Sequence, residues 1–255
     1  MPASIPAPAV KSADAAPAPG ALAQALDALK TYDRGSGRAA LLPLDGAVAA
    51  ASMNASPTRQ QLEQQLAVIL QAGGSAVARE YLCSKLALIG SARSAAALGA
   101  LLDDPLLATA ARNALQALAP TAAAQALRER LPHLQSLAKV GALNSLGHLG
   151  DAASTGPLTE LLKDGKGEVA AAAAAALGGI GSAQAGEALR DFYPKAPEAL
   201  RLGTADALLN CAERLLEANQ RAEAQALYQA VARATRAAHI QDAAQRGLRA
   251  CAGKG

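Results

Sequence analysis

Leucine and isoleucine recur along this chain in a fixed relation to a turn residue. "LALIGSARSAAAL" (86–98), "LQALAPTAAAQAL" (115–127), "LGHLGDAASTGPL" (146–158) and "LGGIGSAQAGEAL" (177–189) align without gaps, and "LEANQRAEAQAL" (216–227), preceded by Leu215, is a looser fifth copy. In each copy two apolar residues three apart end a helix-period stretch. A turn residue follows: Gly90, Ala119, Gly150, Gly181 or Asn219. A second helix-period stretch then brings Leu98, Leu127, Leu158, Leu189 or Leu227 to the same place. Apolar residues three or four apart form one stripe of a helix. Gly and Asn take positive φ with the least strain, so a helix commonly stops there. Ala119 departs from the column, but Pro120 follows it and blocks continuation by another route. The pattern predicts helix, tight turn, helix, repeated about every thirty residues. One such pair cannot cover its own apolar stripe, so the units must stack.

"GEVAAAAAAALGGIG" (167–181) carries seven alanines in a row. It occupies the first helix of the fourth unit, where Leu177 and Ile180 supply bulk as Leu146 and Leu149 do one unit earlier. Alanine is the best helix former and lets neighbouring helices come close. A flexible linker would instead be rich in Gly, Ser, Pro or charge. Helix starts are marked too. Asp104 is expected as an N-cap with Pro105 at the first helical position, and Asp164 takes the matching place later. Upstream, Ser56 caps a helix that begins at Pro57, turns Leu62, Leu66, Ile69 and Leu70 to one face and ends at Gly73. Two more helices are expected at 21–33 and about 37–52, the second interrupted near Pro43. A longer helix at about 197–217 pairs with 220–234, and a last one at about 238–250 caps the array.

Composition agrees. The apolar fraction is 51%, yet aromatics make up 2% and Trp is absent; roughly 70 residues are alanine, far above ordinary usage. Strands would call for β-branched and aromatic residues. The expectation is an all-α fold, an α-solenoid of stacked antiparallel helix pairs over 21–255 as a single domain. Its repeats are clearest at 75–234, with capping helices at both ends. The first twenty residues, "MPASIPAPAVKSADAAPAPG", read as a disordered Pro/Ala-rich tail. They lack a basic n-region and a continuous apolar core, so they are not a signal peptide. The chain is cytoplasmic as written, and periplasmic or exported if Met1 begins a processed form. No stretch is long and apolar enough to cross a membrane. A net charge of +3 with 18% charged residues is not a nucleic-acid signature. The last stretch is more basic, with Arg221, Arg233, Arg236, Arg246, Arg249 and Lys254 against Glu223 and Asp242; this reads as a solvated terminal face.

Helix pairs of this length, closed by "LGGIG" or "LALIG" with an Asp ahead of the next pair, resemble HEAT repeats over residues 57–234. They are most similar to the short bacterial kind grouped with phycobilisome-lyase-type repeats. That family commonly has an Arg early in the first helix. Here the matching places hold Arg79, Ala108, Lys139 and Ala170, so only alternate units are basic. "NCAERLLEANQRAEAQALYQAV" (210–231) also resembles a tetratricopeptide hairpin. The resemblance implies a HEAT-like superhelix used for binding and scaffolding more often than for catalysis.

Candidate chemistry is sparse. Cys83, Cys211 and Cys251 form an odd set with no C-x-x-C, which argues against a disulfide framework or a zinc site. His133, His148 and His239 do not share a helix at i, i+4 spacing. None is followed by Glu, so the iron-binding His-Glu pairs of HEAT-type hydroxylases are missing. No nucleophile elbow or phosphate loop occurs. With one Phe and no Trp, the DNA groove of HEAT-like glycosylases has no support. What remains is the face lined by the second helices. Nine residues past each turn stand Gly99, Arg128, Thr159, Arg190 and Tyr228; one position on stand Ala100, Glu129, Glu160, Asp191 and Gln229. Beside the leucine column both rows are expected to point outward. Arg128, Thr159, Arg190 and Tyr228 are thus the candidate partner-binding residues, although solvated residues in weak ion pairs would look the same. The expected function is a non-enzymatic scaffold without metal or cofactor that binds a protein or peptide. A bilin-lyase-like or other chromophore-handling enzyme and a structural spacer are the alternatives.

Overall fold

A computed structural model of the protein describes residues 20–163 and 167–253. The expected cap at Asp164, the stretch before residue 20 and Lys254 lie outside them. The described helices are α1 (Ala21–Ala28), α2 (Leu42–Ser52), α3 (Pro57–Ala72), α4 (Ala76–Ile89), α5 (Ala95–Gly99), α6 (Ala108–Gln116), α7 (Pro120–Arg130), α8 (Ser136–His148), α9 (Thr155–Lys163), α10 (Gly167–Ile180), α11 (Ala183–Phe192), α12 (Glu198–Glu217), α13 (Arg221–Ala234) and α14 (Ala238–Ala252). Among the described residues there is no strand. First helices pack on first helices in the order α2, α4, α6, α8, α10, α12, and α14 closes that row. Second helices form a parallel row in which α3 meets α5, α5 meets α7, α9 meets α11 and α11 meets α13. The result is an all-α solenoid.

Leu98, Leu127, Leu158, Leu189 and Leu227 are all buried, as the repeat requires. They meet Leu86, Leu115, Leu146, Leu177 and Leu215 of the first helices in one apolar core that runs from Ala25 to Ala244. The alanine run is helical throughout. Ala170, Ala172, Ala173, Ala174 and Ala176 are buried, and only Ala171 and Ala175 of the seven face water. Three glycines beside the run set the spacing of the first-helix row. A methyl group at Gly147 would lie 2.6 Å from Ala176 Cα, one at Gly178 2.6 Å from the Ala207 carbonyl oxygen, and one at Gly179 2.8 Å from the Gly147 carbonyl oxygen. Backbone therefore meets backbone across α8, α10 and α12, and a real Cβ at those places would push the helices apart.

Gly150, Gly181 and Asn219 sit at φ 64°, 64° and 61°, as helix-stopping residues should. Gly90 does not: its φ is −65°. It is glycine because a side chain there would collide with the Leu86 carbonyl and the Leu118 side chain. Ser56 caps α3 as expected, its Oγ accepting from Arg59 N–H. Asp104 caps as expected, but it caps a single turn ahead of α6: its Oδ1 accepts from Leu106 N–H at 2.9 Å and its carbonyl from Leu107 and Ala108 N–H, and the regular helix α6 begins only at Ala108. The stretch at 37–52 is divided beside Pro43, as expected: Arg38–Leu41 is a 3₁₀ turn and α2 starts at Leu42, with Pro43 in its first turn, where no N–H is needed. The helix expected over 21–33 stops at Ala28. Beyond it, Arg34 N–H donates to Asp33 Oδ1 and Asp33 N–H to Ser36 Oγ, forming a turn that helical geometry excludes.

Gly178→Ala is expected to lower the unfolding free energy by about 1–3 kcal/mol through overpacking. The same change at Gly203, which lies on α12 with nothing within 4 Å of an added methyl group, should raise it by up to about 1 kcal/mol through helix propensity. Urea denaturation of the two variants checks the opposite signs.

Candidate functional site

Among the described residues, several grooves open beside the second-helix row, including one of about 470 Å³ between α2 and α3 and three others. One, of about 560 Å³, lies between α1 and α3 and is lined by Leu26, Asp27, Lys30, Gln61, Gln65, Val68 and others. Another of about 560 Å³ lies between α3 and α5, with Gln60, Gln64, Gln71 and Arg93 on its walls. The third, about 270 Å³, separates α11 from α13 and holds Glu187, Arg190 and Glu223. The tightly spaced first-helix row offers one of about 260 Å³, around Asn144, His148, Asn210 and Arg214. Clefts of this size on a rigid frame are ordinary places for a ligand or peptide to lie.

The four candidate residues are not brought together. Arg190 is exposed and lines the α11–α13 groove. Arg128 is half-buried, and its guanidinium donates to Asp151 Oδ2 at 2.5 Å. Thr159 donates its hydroxyl to the Thr155 carbonyl one turn back. Tyr228 corrects the expectation: only 2% of it is exposed, and its ring packs against the bare backbone of Gly247 on α14. Gly99 is likewise buried, facing Ala126. A position one residue past a buried leucine is turned only about 100° from it, and the capping helix α14 covers that angle at Tyr228. The next row meets water: Ala100, Glu129, Glu160 and Asp191 are all exposed, and Gln229 is partly so.

Most charge near the unit boundaries is spent between neighbouring units. Arg79 reaches Asp104 at 3.4 Å, Arg130 pairs with Asp103, and Asp151 takes Ser154 Oγ as well as Arg128. Glu63 of α3 is buried. Its Oε1 accepts from Ser91 N–H at 2.7 Å, Ser91 Oγ–H at 2.8 Å and Ser94 Oγ–H at 2.6 Å, holding the turn of the next unit. At the amino-terminal end, Asp45 accepts from Tyr81 O–H at 2.8 Å and pairs with Lys85 at 2.7 Å. Lys85 also sits 4.6 Å from the Tyr81 ring centre, a cation–π contact. Burial pushes the Asp45 carboxyl up, but Lys85, Tyr81 and Arg38 together hold it below its ordinary value. Burial, reinforced by Asp45, raises the Tyr81 hydroxyl. These groups fasten helices to one another.

Burial raises Cys83 to about 11 and Cys211 to about 12, so neither is a thiolate near neutrality. Among the described residues no group of three or more His, Cys, Asp or Glu is placed to hold a metal ion. No helix among them is long and apolar enough to cross a membrane. The feature that repeat spacing did not pick out is the outward side of α3. Its signal is "QQLEQQ" (60–65), in which every polar residue but the buried Glu63 is glutamine.

The fold and its grooves define a helical-repeat protein built around an extended surface. Comparison with known families narrows this: residues 135–209, from the start of α8 into α12, match HEAT repeats. Solved structures similar to the protein include two that are each under 20% identical. One is an engineered protein, 19% identical over 81% of this chain and 96% of that one, with a TM-score of 0.43. The other is human deoxyhypusine hydroxylase in complex with glycerol, 16% identical over 92% of this chain and 99% of that one, with a TM-score of 0.35. No activity follows from likeness at this level. Comparison with curated proteins gives no match.

Thiol modification at pH 8 is expected to show one fast cysteine, the half-buried Cys251, and two slow ones that react only on unfolding. A raised thiol pKa stabilises the fold below the unfolded value of about 8.5, and that contribution is lost as pH climbs toward 11–12. The fast phase should vanish in Cys251→Ser and the slow phases should accelerate above pH 9. Three equally fast thiols would contradict the packing.

Proposed function

We propose that this protein is a non-enzymatic HEAT-repeat scaffold that holds a segment of another protein against its second-helix row. The supporting observation is the set of grooves between α1 and α3, α3 and α5, and α11 and α13. They open on a row of helices whose own ion pairs and buried leucines are already satisfied. A frame of this kind changes little on binding, so affinity goes into the contacts rather than into ordering the scaffold. By sequence resemblance the repeats are of the short phycobilisome-lyase type; the raised thiols and the largely paired charges favour a scaffold over that family's chromophore chemistry. Of the four residues singled out by spacing, Arg190 keeps a role in partner contact. Arg128, Thr159 and Tyr228 act within the frame.

The test is affinity purification from native cells with quantitative mass spectrometry, using three surface variants. Val68→Glu and Arg190→Glu alter the second-helix row; Leu106→Glu alters a fully solvated site outside the grooves, 77% exposed. A genuine partner is expected to be retained by Leu106→Glu and depleted at least fivefold by one or both of the others. Equal recovery with all three would overturn the assignment of this face.

A further inference from the structure

The α3 helix carries five glutamines on its outward side: Gln60, Gln61, Gln64, Gln65 and Gln71. All five are exposed, and among the described residues none of their amides hydrogen-bonds to another protein group. They form two rails. Gln60, Gln64 and Gln71 line the α3–α5 groove; Gln61 and Gln65 line the α1–α3 groove, which Gln64 also borders. Val68 stands between the rails, 57% exposed, and belongs to both grooves. The floors are apolar, with Leu26, Ile69 and Ala23 on one side and Ala67, Ala96 and Ala97 on the other.

The formal charges around these grooves are nearly all engaged. Asp27 and Lys30 pair with each other at 2.7 Å, and Glu63 takes three donors from Ser91 and Ser94. Among the described residues, Arg93 is the one remaining lining cation. A partner read by charge would find little here. A partner read by its backbone would find much more, because a glutamine carboxamide offers the same donor and acceptor as a peptide group. The spacing also fits. Residues four apart on a helix rise about 6 Å, and residues two apart on an extended chain advance about 6.6–6.8 Å. Gln60 and Gln64, or Gln61 and Gln65, can therefore engage peptide groups two residues apart on a strand laid along α3, with its apolar side chains on Val68 and the groove floors.

We infer that the glutamine rails of α3 bind an extended, charge-poor segment of a partner protein through its backbone. This rests on the scaffold reading and adds the end of the array that is used and the chemistry of the occupant. Charge complementarity selects the occupant: an amide-lined cleft in which Arg93 is the one unpaired lining cation among the described residues disfavours a highly charged peptide, most of whose charges would be desolvated without a partner.

The test is selection from an unbiased library of displayed random peptides on the whole 255-residue chain, followed by titration of the enriched peptides. The probes are those synthetic peptides. Gln60→Ala/Gln64→Ala replaces exposed helical residues by the best helix former, so the fold is kept. The expected result is enrichment of peptides with few charges. Their binding should fall at least tenfold in the double glutamine variant, stay within twofold in Leu106→Glu, and change less than twofold between about 0.05 and 0.5 M salt. Side-chain amide resonances of the α3 glutamines should shift on binding. Enrichment of acidic or basic peptides, or of peptides whose binding ignores the glutamine variant, would overturn the inference. Loss confined to Arg190→Glu would overturn it while leaving the scaffold reading in place. Failure of any peptide to enrich above an unrelated control protein would overturn both.

Discussion

Everything in this structure depends on how closely its first helices approach one another. Across α8, α10 and α12 the contact is between main chains, with Gly147, Gly178 and Gly179 removing the atoms that would keep them apart. Close-packed interiors gain many small dispersion contacts for each such approach. Alanine is the complement of glycine here. Its methyl groups fill what space remains, it costs almost no side-chain entropy on ordering, and it keeps the helix intact where repeated glycine would not. A protein with 2% aromatic residues thus builds a core out of leucine rows and close backbone contact in place of bulky side chains.

The second row obeys a different rule. Its helices α5, α9 and α11 are short, 5, 9 and 10 residues, and they are anchored respectively by Leu98, by Leu158 with Leu162, and by Leu189, each with its neighbours. Grooves remain between them at both ends of the array. Electrostatics works along the row: Arg128 with Asp151, Arg79 with Asp104 and Glu63 with Ser91 and Ser94 each tie one unit to the next. Those are the interface terms of a one-dimensional array, and they explain why Arg128, whose spacing suggests a binding row, turns out to be structural.

Much of the fold was legible because its signals are local. Leucine at helical spacing, a Gly or Asn with positive φ at Gly150, Gly181 and Asn219, and the cap at Ser56 all act within one turn of chain. Where reading failed, a neighbour distant in sequence decided the outcome, or a local side-chain bond won. Gly90 is glycine because a side chain there would meet both the Leu86 carbonyl and Leu118, twenty-eight residues on. Tyr228 is buried because α14 folds over it. Asp104 caps one turn, and the regular helix α6 follows only from Ala108. The binding face was harder still. Outward-pointing positions follow from spacing, but whether an arginine is free or already paired depends on the next unit. Glutamine, having no charge and no special backbone preference, draws no notice in a sequence although it can match a peptide group hydrogen bond for hydrogen bond.

Native-state amide hydrogen exchange through α10 tests the central claim most directly. If backbone contact across Gly147, Gly178 and Gly179 sets the frame, the amides from Ala173 to Ile180 exchange only when the whole array unfolds, with the same free energy as the cores of α8 and α12. Exchange of the alanine helix within seconds while α8 and α12 stay protected would contradict it.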